Sequence, residues 1–164
     1  MKMYFPEIYP DELVYSWLSR YFVYSGCTKH KILISQLLYS TKNNPSVEFI
    51  GHLNETAEQQ ITQIYLMDDL ILNHTMFPQY ARFLPADKRK TALTELKRYC
   101  DPHKVFTILP RNEKELWLKY CPQCAAEDRK TYGETYWHRT HQIRNMVICP
   151  IHRCKLVNSE VDIR

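Results

Sequence analysis

The sequence CPQCAAEDRKTYGETYWHRTHQIRNMVICPIH, residues 121–152, decides how the last third of this chain folds. It begins with Cys121-Pro-Gln-Cys124 and ends with Cys149-Pro-Ile-His152. Ligands at positions i and i+3 of a tight turn point toward the same spot, and two such turns supply the four corners of a tetrahedral zinc site. The spacing therefore predicts one closed, structural Cys3His zinc site, whose binding free energy contributes to folding.

Other uses of these cysteines are compatible with the sequence. The chain has six cysteines, which would suggest disulfides in a secreted protein. However, no apolar run is long enough to cross a bilayer, and the acidic residues that follow Met1 are unlike a secretory signal. We therefore expect a cytoplasmic protein in which zinc is favoured over disulfides. Cys154 could also reach the metal, but His152 gives both turns the same spacing.

Length and composition indicate one ordinary globular domain or two small ones. The chain has 164 residues, of which 45% are hydrophobic and 24% charged, close to the average for globular proteins. The composition changes near residue 110. We therefore predict an α+β fold that is mainly α, with a helical subdomain over residues 1–110 and a zinc-ribbon-like or treble-clef-like subdomain over residues 111–164. Within the latter, residues 135–143 are predicted to form a strand.

The N-terminal residues have the outline of a helix-turn-helix. After Pro10-Asp11-Glu12, apolar residues recur at helical spacing until Gly26, and Thr28 is placed to cap a second helix over residues 28–39. Two short helices joined by a glycine-containing turn are typical of this motif. The same pattern also describes two helices that only pack in a core. Evidence for DNA contact by this pair is limited to a basic edge that includes Lys29 and Lys31.

The most basic stretch of the chain follows a cluster of aromatic residues. Phe77, Tyr80 and Phe83 are predicted to anchor a loop, and the helix that begins near Pro85 has a basic face that includes Arg89 and Arg98. A solvated helix face and a phosphate-binding face explain this pattern equally well. The net charge of +4 permits contact with nucleic acid without requiring it.

Several segments together resemble the TniQ/TnsD family of transposon target-selection proteins. They are residues 6–21, 74–83, 120–128, 132–142 and 149–152. The resemblance implies an adaptor that recruits the transposon's AAA+ ATPase regulator to target DNA, with Cys121, Cys124, Cys149 and His152 as its zinc ligands. Other target-selection components or a second copy of the chain are further implied partners. TnsD-like members are longer and have more DNA-reading modules, so ATPase recruitment is the role expected of this segment.

Candidate contacts with DNA or a protein partner are basic side chains, because these position a protein on phosphates without reading sequence. They are Lys29, Lys31, Arg89, Arg98, Arg139 and Arg144. Tyr136 and Trp137 are expected either to anchor a partner or to pack over the zinc turns, and packing is favoured.

Two other functions were compared with the adaptor. A metallohydrolase would use His138 and His141 with Glu134 as a base, but catalytic zinc needs an open coordination position. In a strand these histidines would project to opposite faces, so we expect no enzyme. A zinc-containing transcription factor that binds a duplex through residues 28–39 shares the fold and differs in its partner.

Overall fold

A computed structural model describes residues 4–39, 46–106 and 117–162. These ranges contain eight α-helices, one 3-10 helix and a two-stranded sheet, which confirms the predicted α+β class with mainly helical structure. The elements are α1 Val14–Tyr24, α2 His30–Leu37, α3 Glu55–Thr62, α4 Met67–His74, α5 Phe77–Ala81, α6 Ala86–Lys97, α7 Pro102–Val105, β1 Trp117–Tyr120, α8 Pro122–Tyr132, the 3-10 helix Thr140–Gln142 and β2 Val157–Asp162. None of the helices in the described ranges has the length and apolar character needed to span a membrane.

The first helix begins later than the sequence suggests. Asp11 has a left-handed backbone with φ 55°, and Glu12 forms an isolated antiparallel bridge with His138, so α1 begins only at Val14. The apolar face of α1 packs into a cluster with α2, α3 and α4, in which Trp17 is fully buried. The indole N–H of Trp17 donates to the carbonyl of Pro6 at 2.7 Å, which fixes the extended lead-in against the helix.

The second helix packs against the third. Gly26 has φ 65° in the turn after α1, as a glycine stop requires, and α2 begins after Lys29, so the cap predicted at Thr28 is wrong. Asn54 joins α2 to α3, because its side chain accepts from the amide of Ala57 and donates to the carbonyl of Gln36. This polar link and the shared apolar cluster fix the angle between the two helices.

A second apolar cluster surrounds Phe77 and receives residues from both ends of the chain. Leu13 and the partly buried Trp137 lie in it together with α4, α5 and α6. Tyr80 is buried, and its hydroxyl donates to Glu48 at 2.5 Å. The prediction that Phe83 also anchors the chain is wrong, since its side chain is 81% exposed.

The C-terminal part of the chain surrounds α8. Strand β1 pairs antiparallel with β2, and α8 follows β1 directly and ends at Gly133, which has φ 80°. The strand predicted over residues 135–143 is wrong. These residues instead run beside the start of α1, with Leu13 N–H donating to Trp137 O and Arg139 N–H donating to Asp11 O, and they end in the 3-10 helix. The proposed division near residue 110 falls outside the described residues and stays a prediction.

Candidate metal centre

The four side chains expected to bind a metal lie together. Ligand atoms from Cys121, Cys124, Cys149 and His152 are all within 4.8 Å of one another, and the three cysteines are buried. Two local structures bring them there. Cys121 and Cys124 occupy the N-terminal end of α8, whereas Cys149 and His152 lie in the loop of a short hairpin in which Ile148 pairs with Lys155.

Each turn orients its first sulfur with a backbone amide. The amide N–H of Cys124 donates to the Cys121 sulfur at 3.5 Å, and the amide N–H of His152 donates to the Cys149 sulfur at 3.4 Å. Pro122 occupies the first turn of α8, where a missing N–H costs no hydrogen bond. The two turns therefore present their sulfurs in the same way, although one belongs to a helix and the other to a hairpin.

Four of the six distances between these donor atoms are close to those around a tetrahedral ion. Zinc bonds of about 2.3 Å to sulfur and about 2.0 Å to nitrogen imply S···S separations of about 3.8 Å and S···N separations of about 3.5 Å. The sulfurs of Cys124 and Cys149 are 3.7 Å apart, and His152 Nδ1 lies 3.2 to 3.8 Å from the three cysteine sulfurs. Three thiols and one imidazole at these separations could hold a metal ion without further ligands.

A carboxylate holds the candidate histidine ligand. His152 Nε2 lies 3.0 Å from Glu127 Oε1 on α8, so Nδ1 remains free to face the sulfurs. Metal-bound histidines commonly donate their second N–H to a carboxylate, which fixes the ring and raises its basicity. Glu127 raises the pKa of His152 in this way, and the hydrogen bond to Cys149 adds to the effect.

The sulfurs differ in their electrostatic environment. Burial alone would raise the pKa of Cys121, but hydrogen bonds from the amide of Cys124 and from the thiols of Cys154 and Cys149 lower it below its usual value. For Cys124, burial raises the pKa, and the neighbouring sulfurs of Cys149 and Cys121 raise it further. A bound cation would offset this repulsion, and metal binding would then release protons from the cluster.

Sequence reasoning missed the place of His141. This buried side chain directs Nε2 toward the sulfurs of Cys149 at 3.6 Å and Cys124 at 3.8 Å. Burial lowers the pKa of His141 to about 4, so the ring is neutral at pH 7, and a proton on Nε2 would be donated toward the sulfurs. Its Nδ1 is buried and has no hydrogen-bond partner within the described residues.

The expectation that His138 and His141 face opposite ways is also wrong. Their rings lie 4.8 Å apart because the segment is not a strand, and His138 Nε2 is paired with Asp128 at 2.9 Å. Burial raises the pKa of Asp128, and His138 opposes that rise. Cys154 is a further neighbour of the cluster, with its sulfur 3.3 Å from that of Cys121.

Comparison with known proteins agrees with the motifs. The TniQ family model matches residues 3–156, which is nearly the whole chain. The chain belongs to the TniQ family. It is 31% identical over 153 residues to the transposon Tn7 transposition protein TnsD of Escherichia coli, and the aligned region covers 90% of this chain and 30% of TnsD. This TniQ-family chain therefore spans less than a third of the length of that relative.

An ion-pair cluster around the buried side chains of Arg20 and Glu12 joins the start of this TniQ-family chain to the segment after α8. Arg20 on α1 binds both carboxylate oxygens of Glu12, at 2.9 and 2.7 Å, and reaches Glu134 at 2.9 Å. Glu134 also accepts from the hydroxyls of Tyr9 and Tyr24. We call these five residues the Arg20 cluster. No local pattern links Arg20 to Glu134, which lies 114 residues further along the sequence.

Of the predicted contact residues, four basic side chains are exposed, namely Lys29, Lys31, Arg89 and Arg98. Arg139 is engaged within the protein, because it pairs with Asp11 at 3.0 Å and donates to the carbonyl of Leu72. Arg144 is half-buried. The ring of Tyr136 stacks on His138 at 4.3 Å and lies tilted beside Tyr9 at 5.1 Å, and its hydroxyl donates to the carbonyl of Pro10, so this residue packs within the protein.

Proposed function

We propose that this TniQ-family chain is an adaptor for transposition target selection, which recruits the transposon's AAA+ ATPase regulator to target DNA. The membership of the family and the match to TnsD, a transposition protein by name, support this role. The observation that carries its structural part is the cluster of Cys121, Cys124, Cys149 and His152, whose separations suit a closed metal site.

The proposed metal is one structural Zn²⁺ ion. Three thiolates and one imidazole in tetrahedral positions suit zinc, and with all four positions filled by protein the ion has no room for a substrate or an activated water. The proposed ion therefore has a structural role, in keeping with an adaptor that is not an enzyme. All six cysteines lie among the described residues and none is in a disulfide, which fits a reducing compartment such as the bacterial cytoplasm, where zinc sites are common and disulfides rare.

DNA contact is the second part of the proposal. The exposed side chains of Lys29, Lys31, Arg89 and Arg98 would contact phosphates without reading bases. Engaging all four would make the logarithm of the binding constant fall by about 3 to 4 per tenfold rise in salt. A slope of this size would indicate contact with the DNA backbone. A contact made by uncharged groups, or made only through another protein, would not give this slope.

The test is binding of the purified, zinc-loaded chain to the transposon's AAA+ ATPase, measured with and without duplex DNA. We expect one zinc per chain by elemental analysis and a stable complex with the ATPase in the absence of any target sequence. No complex with the ATPase, together with tight sequence-selective binding to a duplex, would contradict the adaptor. That outcome would instead favour the zinc-containing transcription factor that binds DNA through α2.

A further inference from the structure

The second metal turn is the tip of a small antiparallel hairpin, residues 147–156, which we call the knuckle hairpin. The amide of Cys149 donates to the carbonyl of Cys154 at 2.8 Å, and the amide of Leu156 donates to the carbonyl of Val147 at 2.9 Å. Ile148 and Lys155 form the bridge pair between these bonds. Because directly opposed residues project from the same face of a ladder, Ile148 and Lys155 share a face of the hairpin.

The knuckle hairpin exposes apolar side chains that the fold does not use. Val147 is 61% exposed, Ile148 51% and Ile151 65%. In contrast, Cys149, which follows Ile148, and Leu156, at the end of the hairpin, are buried. Val147 and Ile148 are neighbours on one strand and point to opposite faces, so the exposed aliphatic side chains on the face of Lys155 and in the loop are Ile148 and Ile151. Exposed apolar surface commonly marks an interaction site. The position of this surface is set by Cys149 and His152, which belong to the candidate metal centre.

The same hairpin carries two exposed basic side chains. Between residues 143 and 157 the sequence has three Lys or Arg residues and no Asp or Glu. Arg153 and Lys155 are exposed, and neither is in an ion pair with any residue that the structure describes. Lys155 lies opposite Ile148, so an apolar and a basic group are presented side by side.

We propose that the knuckle hairpin is a docking surface for a protein segment that carries apolar side chains flanked by Asp or Glu. This inference rests on the proposed function, under which the segment belongs to the AAA+ ATPase regulator. Burial of Ile148 and Ile151 supplies the hydrophobic contact, and Arg153 and Lys155 meet the acidic groups at its rim. DNA phosphates would satisfy the basic groups but would leave the aliphatic side chains in water, which is why a protein fits this surface better.

A metal ion bound at the candidate centre would make this surface rigid. Two of the four candidate ligands lie within the ten residues of the hairpin, so a bound ion would hold its loop in one conformation before any partner arrives. A preorganised surface loses less conformational entropy on binding than a flexible loop does. The candidate metal centre would therefore hold the docking surface ready for its partner.

The test compares two double variants in binding to the AAA+ ATPase. In Ile148→Asp/Ile151→Asp the apolar contact is replaced by charge, and we expect binding at least roughly tenfold weaker, as for loss of an interface anchor. The matched control is Ile64→Asp/Leu66→Asp, whose side chains are 59% and 70% exposed and lie between α3 and α4. The control should bind as the wild type does. Zinc content and circular dichroism of each variant report whether its fold is intact.

A second hairpin variant, in which two charges are reversed, keeps the test decisive if the first variant loses its zinc. Arg153→Glu/Lys155→Glu should weaken binding at low salt and less so at high salt, since the rim contacts are screened. If the wild type binds the ATPase and both hairpin variants bind equally well, the hairpin assignment is overturned while the adaptor stands. If the wild type does not bind, both proposals fail. Loss of DNA binding with ATPase binding intact would assign the surface to DNA and overturn this inference.

Discussion

The helical front of the molecule and the region around the candidate metal centre differ in how they are held together. In the described front, two apolar clusters contain twelve and ten buried residues. The cluster around the metal ligands contains four, and three of these are cysteines. Stability in the front is therefore spread over many side chains, whereas around the candidate metal centre we expect it to depend on a few donor atoms. A single substitution should have a graded effect in the first and a nearly complete effect in the second.

The Arg20 cluster connects these regions. It buries a charged guanidinium between α1 and the segment after α8, with Glu12 fully buried and Glu134 more exposed. A further link is Asp11, which accepts from Arg139 and from the hydroxyl and amide of Thr140. Polar contacts of this kind fix how the two regions are oriented, because each has a definite geometry that apolar packing lacks.

The largest effect is expected for Cys149→Ser. Structural zinc supplies apparent binding free energies on the order of 10 kcal/mol, and loss of one thiolate should abolish metal binding and unfold the region around α8. Elemental analysis should find no zinc, and hydrogen exchange should show lost amide protection in residues 117–162.

Two matched variants make this test specific to the metal ligands. Cys27→Ser changes a thiol outside the cluster and should keep both the zinc and the amide protection. Leu53→Ala empties a fully buried core site and should lower the free energy of unfolding by about 2–5 kcal/mol with zinc retained. A Cys149→Ser protein that keeps its zinc and its protection would contradict the contrast between the regions.

The next effect concerns the Arg20 cluster. Glu12→Ala leaves the buried guanidinium of Arg20 without its bidentate partner, which should lower the free energy of unfolding by about 3–5 kcal/mol. Urea denaturation followed by fluorescence measures this change. Asp68→Ala is the control, because its ion pair with Lys97 is exposed and should contribute less than about 1 kcal/mol. Equal losses for the two variants would show that the buried pair has no special role.

A smaller effect is expected at the carboxylate behind the candidate histidine ligand. Glu127→Gln weakens the hydrogen bond to His152 Nε2, and we expect roughly tenfold lower zinc affinity in a chelator competition. The effect should lie at the low end for such partners, because the Glu127 side chain is 67% exposed. Glu160→Gln changes an exposed carboxylate on β2 and should leave the affinity unchanged. Unchanged affinity in Glu127→Gln would mean that His152 needs no orienting partner.

The smallest effect is a pH dependence at Glu134. Burial would raise its pKa, but hydrogen bonds from Tyr24, Tyr9 and Arg20 lower it below the usual value. The unfolded chain therefore binds this proton more readily, so the stabilisation is present above about pH 4.3 and is lost as the pH falls through the folded pKa.

Glu134→Gln tests this sign directly. The variant should lose less stability than the wild type between pH 6 and pH 3, by about 1 kcal/mol, since one stabilising carboxylate no longer titrates. Any release of metal in acid occurs in both proteins and cancels in the comparison of their urea midpoints. Identical acid dependence in the two proteins would remove Glu134 from the pH response.

Local patterns were sufficient for some parts of this fold. The apolar periodicity from Leu13 to Phe22 predicted α1, and Gly26 and Gly133 both adopt the positive φ expected of a glycine that ends a helix. These features depend on neighbours within a few residues. The meeting of the two ligand turns was the prediction over a long distance that agrees with the structure, whereas others that depended on distant neighbours were wrong. Phe83 has aromatic neighbours in the sequence, but its own side chain is exposed to solvent and does not belong to the core.

Read alone, the sequence determined the mainly helical class, the membership of the TniQ family and the spacing of four candidate ligands in two matching turns. These follow from local periodicity and from short motifs. Only the tertiary structure decided that residues 134–139 lie beside α1, that Arg20 joins Glu12 to Glu134, and that His141 faces the sulfurs of Cys124 and Cys149. The bridge between Glu12 and His138 shows the physical reason: it joins residues far apart in the chain, whose pairing depends on packing that no local pattern encodes.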